Sequence, residues 1–484
     1  MTLNSLNFLL FFVIVFVVYY LPICRTPKFQ NSWLFLASYF FYGFADWKMI
    51  PLLLGATTVF YGIGWWLKKE MERKKNVAAS RITTLGVVFG VGTLLYFKYL
   101  NFFAESFAQL LNGIGLNVSW STLNIVLPLG VSFFTFKLIS YVIEIHREHI
   151  EPCKSFIEFG AYVAFFPTIL SGPIDRPNTF IPQLGETRIF NYDMAVDGCR
   201  QILWGMFTKA CIADNLASVT DNIWQTYNEQ SGSTLLVAAM LYFIQLYADF
   251  DGYSNMAIGV SKILGIKVAR NFNHPFLARN TAEYWRRWHM SLTSWITDYI
   301  FMPLNIAFRN YGNIGICMAI IINLLVIGLW HGANWTYGLF GLYHGLLFIP
   351  LVYFGSFGKN KKLRQNSIGF PMRNDFVKMM GTFMLVAIGL IIFRAPNVME
   401  AYNYLSNIFS KSFFSLPQGQ TAMLYSFPLL LIDWLTRDKE HALQFSMNTF
   451  FNSRFRRWSL YIVLLLFILF LFGASEQPFI YQHF

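Results

Sequence analysis

One histidine interrupts an otherwise uncharged part of this sequence. His331 stands in VIGLWHGANW, and the eighteen residues before it, NIGICMAIIINLLVIGLW, carry no charge. The segment after it, GANWTYGLFGLYHGLLFIPLVYF, is uncharged as well. An ionisable ring at such depth is costly, so it marks either a functional position or a core histidine hydrogen-bonded across helices. Near pH 7 a neutral imidazole is the usual general base for a hydroxyl or a water. His289 has a different setting, EYWRRWHMSLTSWITDYIFMPL, an aromatic amphipathic stretch that also carries Arg286 and Arg287. Asp249 and Asp251, in LYADFDGYSNMAIG, sit at the edge of an apolar run. Carboxylates there require partners, and the expected ones are Arg or Lys from the basic segment that follows.

The other candidates have plainer readings. His146 and His149 form an HxxH near Glu144 and Glu148, a conceivable metal pair but more simply a solvated loop. His274 precedes a proline and ends a turn, and His441 falls in a loop. His344, in GLYHGLL, reads first as helix packing between small residues and second as a pocket residue. No Walker loop, GxSxG elbow, HExxH or cysteine-rich metal site is present in the sequence. At the C-terminus, FIYQHF places Phe479, Tyr481 and Phe484 as F-x-Y-x-x-F. That spacing suits a tail anchored in an apolar groove with one hydroxyl presented; the plain alternative is a frayed end.

These residues must be positioned by membrane helices. The 484 residues are 55% hydrophobic and only 13% charged, with a mean hydropathy of +0.45, whereas soluble domains run near a quarter charged. Aromatics reach 19%, which suits lipid-facing surfaces and interfacial belts. The net charge of +12 lies in short loops between apolar segments, which is how topology is set and not how nucleic acid is bound. Five scattered cysteines form no CxxC, and FLLFFVIVFVVYYL near the N-terminus reads as a retained first helix.

Apolar segments of helical length recur near 8–21, 32–45, 50–66, 84–98, 124–145 and 197–215, then near 234–248, 314–330, 335–354, 378–393, 419–434 and 457–473. The expectation is an all-α polytopic protein with about 11–13 crossings. The basic stretches at 68–75, 146–154, 359–364 and 454–457 all fall on one side when the crossings alternate. The positive-inside rule makes that side cytoplasmic and puts both termini outside. Two regions differ. Residues 249–312 are basic and aromatic, and are expected to form amphipathic and re-entrant helices. Residues 158–177 are apolar, then broken by Gly172, Pro173 and Pro177. Broken helices at membrane depth are tolerated only when buried in protein or lining a cavity. The whole chain, 1–484, reads as one membrane domain: N-terminal helices over 1–123, a core with broken helices over 124–354, and C-terminal helices with the tail over 355–484.

Six stretches, taken together and in this order, resemble the membrane-bound O-acyltransferases, and within them the alginate O-acetyltransferase-like branch. They are LPLGVSFFTFKLISYVIE, FFPTILSGPIDRP, YADFDGYSNMAIG, EYWRRWHMSLTSWITDYIFMPL, LWHGANWTYGLFGLYHG and FIYQHF. The resemblance implies a ring of helices around a central tunnel, with His331 at its narrowest point and His289 as the second functional position. It implies acetyl-CoA as a donor substrate, no bound cofactor and no metal. Lys267, Arg286 and Arg287 then become candidate contacts for the donor's phosphates. Trp330, Asn334, Asp249 and Asp251 become candidate substrate- or donor-binding residues. Tyr481 matches a tyrosine that accepts the acyl group before a partner does, and that partner is an extracytoplasmic serine (SGNH-type) acetyltransferase. The implied site is a bacterial cytoplasmic (inner) membrane, with membrane lipids around the chain and no nucleic-acid partner. One departure is DFDGYSNM, with Asp251 and Asn255 where similar sequences often carry Ser and Asp. The alternatives are D-alanyl transfer to teichoic acid from a carrier-protein thioester and, in another class, a transporter. A transporter should carry related broken helices in its two halves, and the sequence shows no such repeat.

Overall fold

The computed structural model describes residues 1–22, 25–119, 123, 125–358, 369–410, 412–445, 451, 453–471 and 477–480. Every regular element among them is helical, and each of the twelve apolar segments overlaps a helix, although the one over 124–145 becomes helical only at Val131. Six helical runs among the described residues are long and apolar enough to cross a membrane: Pro27–Glu72, Asn76–Gly113, Gly232–Ile263, Arg309–His331, Trp335–Tyr353 and Arg373–Arg394. The protein is therefore an all-α, multi-pass membrane protein. The first run is 46 residues, roughly 70 Å if straight, against a hydrocarbon core of about 30 Å. It is broken at Asp46, which leaves the helix at φ −156° and whose carboxylate accepts from Lys48 N at 3.0 Å. Other apolar segments fall below the crossing length or carry charge. Val131–His146 has 16 residues, Met423–Leu435 has 13, and Arg454–Leu471 opens on three arginines.

The described residues form two compact units. The first comprises Met1–Ile202 and Met256–Ala269. Its centre is the helix Val131–His146, buried along nearly its whole length. Lys137 on this helix is 1% exposed, and its Nζ donates to Tyr162 O (3.2 Å) and Thr168 Oγ1 (3.1 Å). Those acceptors belong to the broken segment expected over 158–177. The helix Phe156–Ala164 stops there, turns follow over Phe165–Gly172, and a new helix starts at Pro177. The turns are buried in protein, the condition under which irregular backbone survives at membrane depth. A second buried cation, Arg188, ties three elements together by donating to Tyr19 Oη (2.7 Å), Asn31 Oδ1 (2.6 Å) and Leu184 O (3.0 Å).

The second unit comprises Leu203–Asn255 and Arg270–Ile480. It contains the expected short helices of the basic aromatic region: Thr281–Trp285, Met290–Ile296 and Met302–Ala307. That region begins later than the charges suggest. The helix Gly232–Ile263 continues unbroken through Asp249 and Asp251 for 32 residues, because both carboxylates find partners inside the protein. The helices Gly312–His331 and Trp335–Leu346 form a tight hairpin. A Cβ at Gly328 would lie 2.2 Å from Tyr337 O, and one at Gly341 would lie 2.4 Å from Leu324 O. Such close backbone approach is available only to small residues. His344 packs as expected: its ring is fully buried and its Nδ1 accepts from Trp285 Nε1 at 3.4 Å.

Gly341→Ala should force the hairpin apart at a cost of about 1–3 kcal/mol or more, read as a lowered Tm and loss of monodisperse protein in detergent. Gly338→Ala is the control. Its new methyl meets only Leu329 Cδ2 at 3.7 Å, and Tm should hold or rise.

Candidate active site

His289 owes its position to its backbone. Its φ of +43° is left-handed, a conformation costing a non-glycine residue roughly 1–2 kcal/mol. Surrounding contacts must hold it there, and they converge on Asn271. Met290 N donates to Asn271 O (2.7 Å), and Asn273 N donates to Arg287 O (3.0 Å). The Asn271 side chain is fully buried. It donates through Nδ2 to Ser254 Oγ (3.0 Å) and accepts at Oδ1 from Ser291 Oγ (2.6 Å). The His289 ring, 1% exposed, stands edge-on to Phe250 (centroids 4.7 Å) and Trp330 (5.7 Å). Burial pushes its pKa down to about 3, so the ring is neutral at pH 7.

His331 is the last residue of Gly312–His331. Its ring is 4% exposed and packs on Trp330 (5.0 Å), Phe393 (5.0 Å) and Tyr337 (6.4 Å). Trp330 is thus the shared wall of both histidines. Asn334 is the N-cap of Trp335–Leu346: its Oδ1 accepts from Thr336 N (3.1 Å) and its Nδ2 donates to Pro396 O (2.7 Å).

The two aspartates differ. Asp249 is buried and pairs with Lys209, at Nζ–Oδ1 2.7 Å; Lys209 also reaches Asp214 Oδ1 at 2.8 Å. The partner of Asp249 is therefore not from the basic segment, as expected, but lies forty residues upstream. It sits in the π-helical turn Thr208–Ala213, an irregularity frequent at functional sites. Gly252 lets the two helices meet, since a Cβ there would lie 2.9 Å from Gly205 O and Thr208 Oγ1. Asp251 accepts from Asn255 Nδ2 at 2.8 Å. Lys209 is a buried partner of Asp249 and Asp214 that the sequence reading missed. Its signal was there: a lysine inside the apolar segment WGMFTKACIA.

Of the basic candidates, Arg287 donates to Glu283 Oε1 (3.1 Å) and Asn273 O (3.0 Å), within a cluster that also joins Arg279, Glu283 and Asp375. Arg286 is exposed. Lys267, in the first unit, is exposed, and its backbone is tied to Gln183. Tyr481 lies outside the described residues. The preceding residues are described: Phe479 is 2% exposed, and Ile480 N donates to Asp249 Oδ2 at 2.9 Å. Among the described residues no group of histidine, cysteine or carboxylate side chains has the geometry of a metal site.

Asn271→Ala should strand the buried hydroxyls of Ser254 and Ser291, costing about 1–3 kcal/mol, and should lower turnover by loosening His289. Thermal stability and turnover measured on the same preparation check this.

Comparison with known proteins gives a consistent result. Residues 147–368 match the family model described as MBOAT, membrane-bound O-acyltransferase family. A protein of Pseudomonas aeruginosa named "Probable alginate O-acetylase AlgI" is 36% identical over 431 residues, covering 88% of this chain and 78% of its own. The peptidoglycan O-acetyltransferase of Helicobacter pylori is 27% identical over 98% of both chains. The teichoic acid D-alanyltransferase of Bacillus subtilis is 33% identical, over 49% of this chain and 62% of its own. With helices, a buried histidine pair and relatives in agreement, the chain belongs to the membrane-bound O-acyltransferase family.

Proposed function

We propose that this protein is an O-acetyltransferase of a bacterial cytoplasmic membrane. It moves an acetyl group from cytoplasmic acetyl-CoA toward hydroxyls of a cell-envelope polysaccharide outside. The observation that carries the reading is the enclosed His331 ring at the end of an apolar helix, sharing the Trp330 wall with a neutral His289. A thioester is already activated, so the protein must orient its carbonyl, exclude water and take a proton from the acceptor. His331 takes the proton from the acceptor hydroxyl as that oxygen attacks the thioester carbonyl. The C–S bond breaks, and the proton leaves with the thiolate as free thiol. His289, held neutral by burial, offers one ring N–H and one acceptor nitrogen beside the reacting groups.

The relatives support acetyl over D-alanyl transfer, since the O-acetylases align over most of this chain and the D-alanyltransferase over about half. The first acceptor in this reading is Tyr481. A phenol has a pKa near 10, so its acetyl ester is more reactive than an alkyl ester and passes the group onward. The recipient is a serine (SGNH-type) acetyltransferase outside the membrane, with both termini of this chain on that side. The described tail supports this: Ile480 is bonded to Asp249, and the next residue of that helix, Phe250, packs on His289. Arg286, exposed at the basic segment, draws the donor's phosphates. Arg287 supports it from within its ion-paired cluster.

His331→Ala should reduce acyl transfer at least 10²-fold, the usual worth of a general base, with insertion and folding intact; turnover above about a tenth of normal would contradict the role. Arg286→Ala should raise the KM for acetyl-CoA with little change in kcat, measured by thiol release. Tyr481→Phe should preserve donor binding and stop polymer acetylation. With the partner missing, mass spectrometry should find acetyl on the C-terminal peptide of the unsubstituted protein.

A further inference from the structure

The Lys209 cluster is built for a ligand that the ion pairs alone do not supply. An ammonium has three donors. Lys209 donates to Asp249 Oδ1 at 2.7 Å and to Gln477 O at 2.9 Å, and it is ion-paired with Asp214 Oδ1 at 2.8 Å. Asp249 mirrors this, with Oδ1 on Lys209 and Oδ2 on Ile480 N at 2.9 Å. Between those two anchors the Phe479 ring lies under the Lys209 ammonium, 4.4 Å from its centroid, and edge-on to Tyr253 at 5.0 Å. Lys209, Asp249 and Asp214 are all at least nine-tenths buried.

We propose that Lys209 and Asp249 form a clamp that docks the C-terminal segment Gln477–Ile480 in one register and so sets the reach of Tyr481. They are positioning residues. The docking stands on the described contacts alone, and its consequence for acetylation rests on the proposed role of Tyr481. Two backbone bonds fix the register, and one aromatic side chain supplies selectivity. Undocking leaves a buried ammonium proton and a carboxylate oxygen without acceptor and donor, so the segment is held rather than frayed. Both bonds are made by the segment's own backbone, so release needs no change in the rest of the protein.

The test uses Ile480, because Lys209→Met strands two buried carboxylates and risks the fold. Ile480→Pro deletes the N–H that Asp249 receives and leaves the cluster intact, whereas Ile480→Ala keeps it. Hydroxyl-radical footprinting of the full-length protein in detergent should show oxidation of the buried Phe479 ring rising about tenfold or more in Ile480→Pro and staying protected in Ile480→Ala, with Tm unchanged in both. Acetyl recovered on the C-terminal peptide should fall in parallel for Ile480→Pro, with the KM for acetyl-CoA unchanged. Equal protection in Ile480→Pro and the unsubstituted protein overturns the clamp. Lost protection with full acetylation overturns the positioning role and leaves docking as anchorage. If Tyr481→Phe still supports polymer acetylation, the carrier reading fails, while the footprinting result continues to decide the clamp.

Discussion

A lysine ammonium buried beside a membrane-spanning helix must be neutralised where it stands, and much of this protein's second unit is arranged around that demand. Lys209 carries one positive charge into a site with two carboxylates, Asp214 and Asp249. Removing either partner from such a group is far costlier than the pair is worth, because a bare buried charge remains. The three residues therefore fix each other: the π-turn at 208–213 is held against Gly232–Ile263, and the helix can continue through acidic residues that would otherwise end it. The surplus acceptor on Asp249 and the spare donor on Lys209 are what the tail uses.

Consecutive residues of the long helix serve two purposes, and helical geometry explains how. Positions i and i+4 share a face. Asp249 and Tyr253 face the tail, the first by a hydrogen bond and the second by a ring contact. Phe250 and Ser254 lie about 100° round the helix, the first against the His289 ring and the second holding Asn271. A single helix turn thus couples the seat of the tail to the wall of the histidine site. A rotation of this helix would disturb both faces together, which gives the Gly252 contact its importance: it sets the helix's depth against its neighbour.

Much of this was legible in the sequence, but unevenly. Each apolar segment overlaps a helix, the Gly172–Pro177 break is real, and His331 ends its helix where the uncharged run stops. Those features are local, carried by residue type and spacing over a few turns. What escaped was pairing at a distance. Asp249 looked like a boundary because its partner, Lys209, is forty residues away and joined to it only through the close approach at Gly252. Arg287 read as a contact for the donor's phosphates, and its engagement by Glu283 depends on a fold of short helices with no periodic signature. Asn334 read as part of a binding motif, whereas its described contacts are those of a helix cap. The left-handed backbone at His289 carries only a weak signal: histidine is enriched several-fold in that conformation but still adopts it rarely.

The two parts of the site differ in how firmly they are held, and the difference suits the proposed reaction. His289 is locked by backbone strain, a buried asparagine bridge and aromatic rings on two sides; none of these can be exchanged without repacking the core. His331 is enclosed in the same way, at the end of a helix that meets its neighbour backbone to backbone. The tail, by contrast, is held by two hydrogen bonds and one ring contact to groups already satisfied in part by each other. A base must be rigid to stay within reach of the proton it removes, since small displacements are expensive in rate. A carrier must be seated to load and able to leave to unload. Polar contacts to backbone atoms meet both needs, because they define a register without the area of a packed core. The rigid His289 and the tail meet on one helix, at residues 250 and 249.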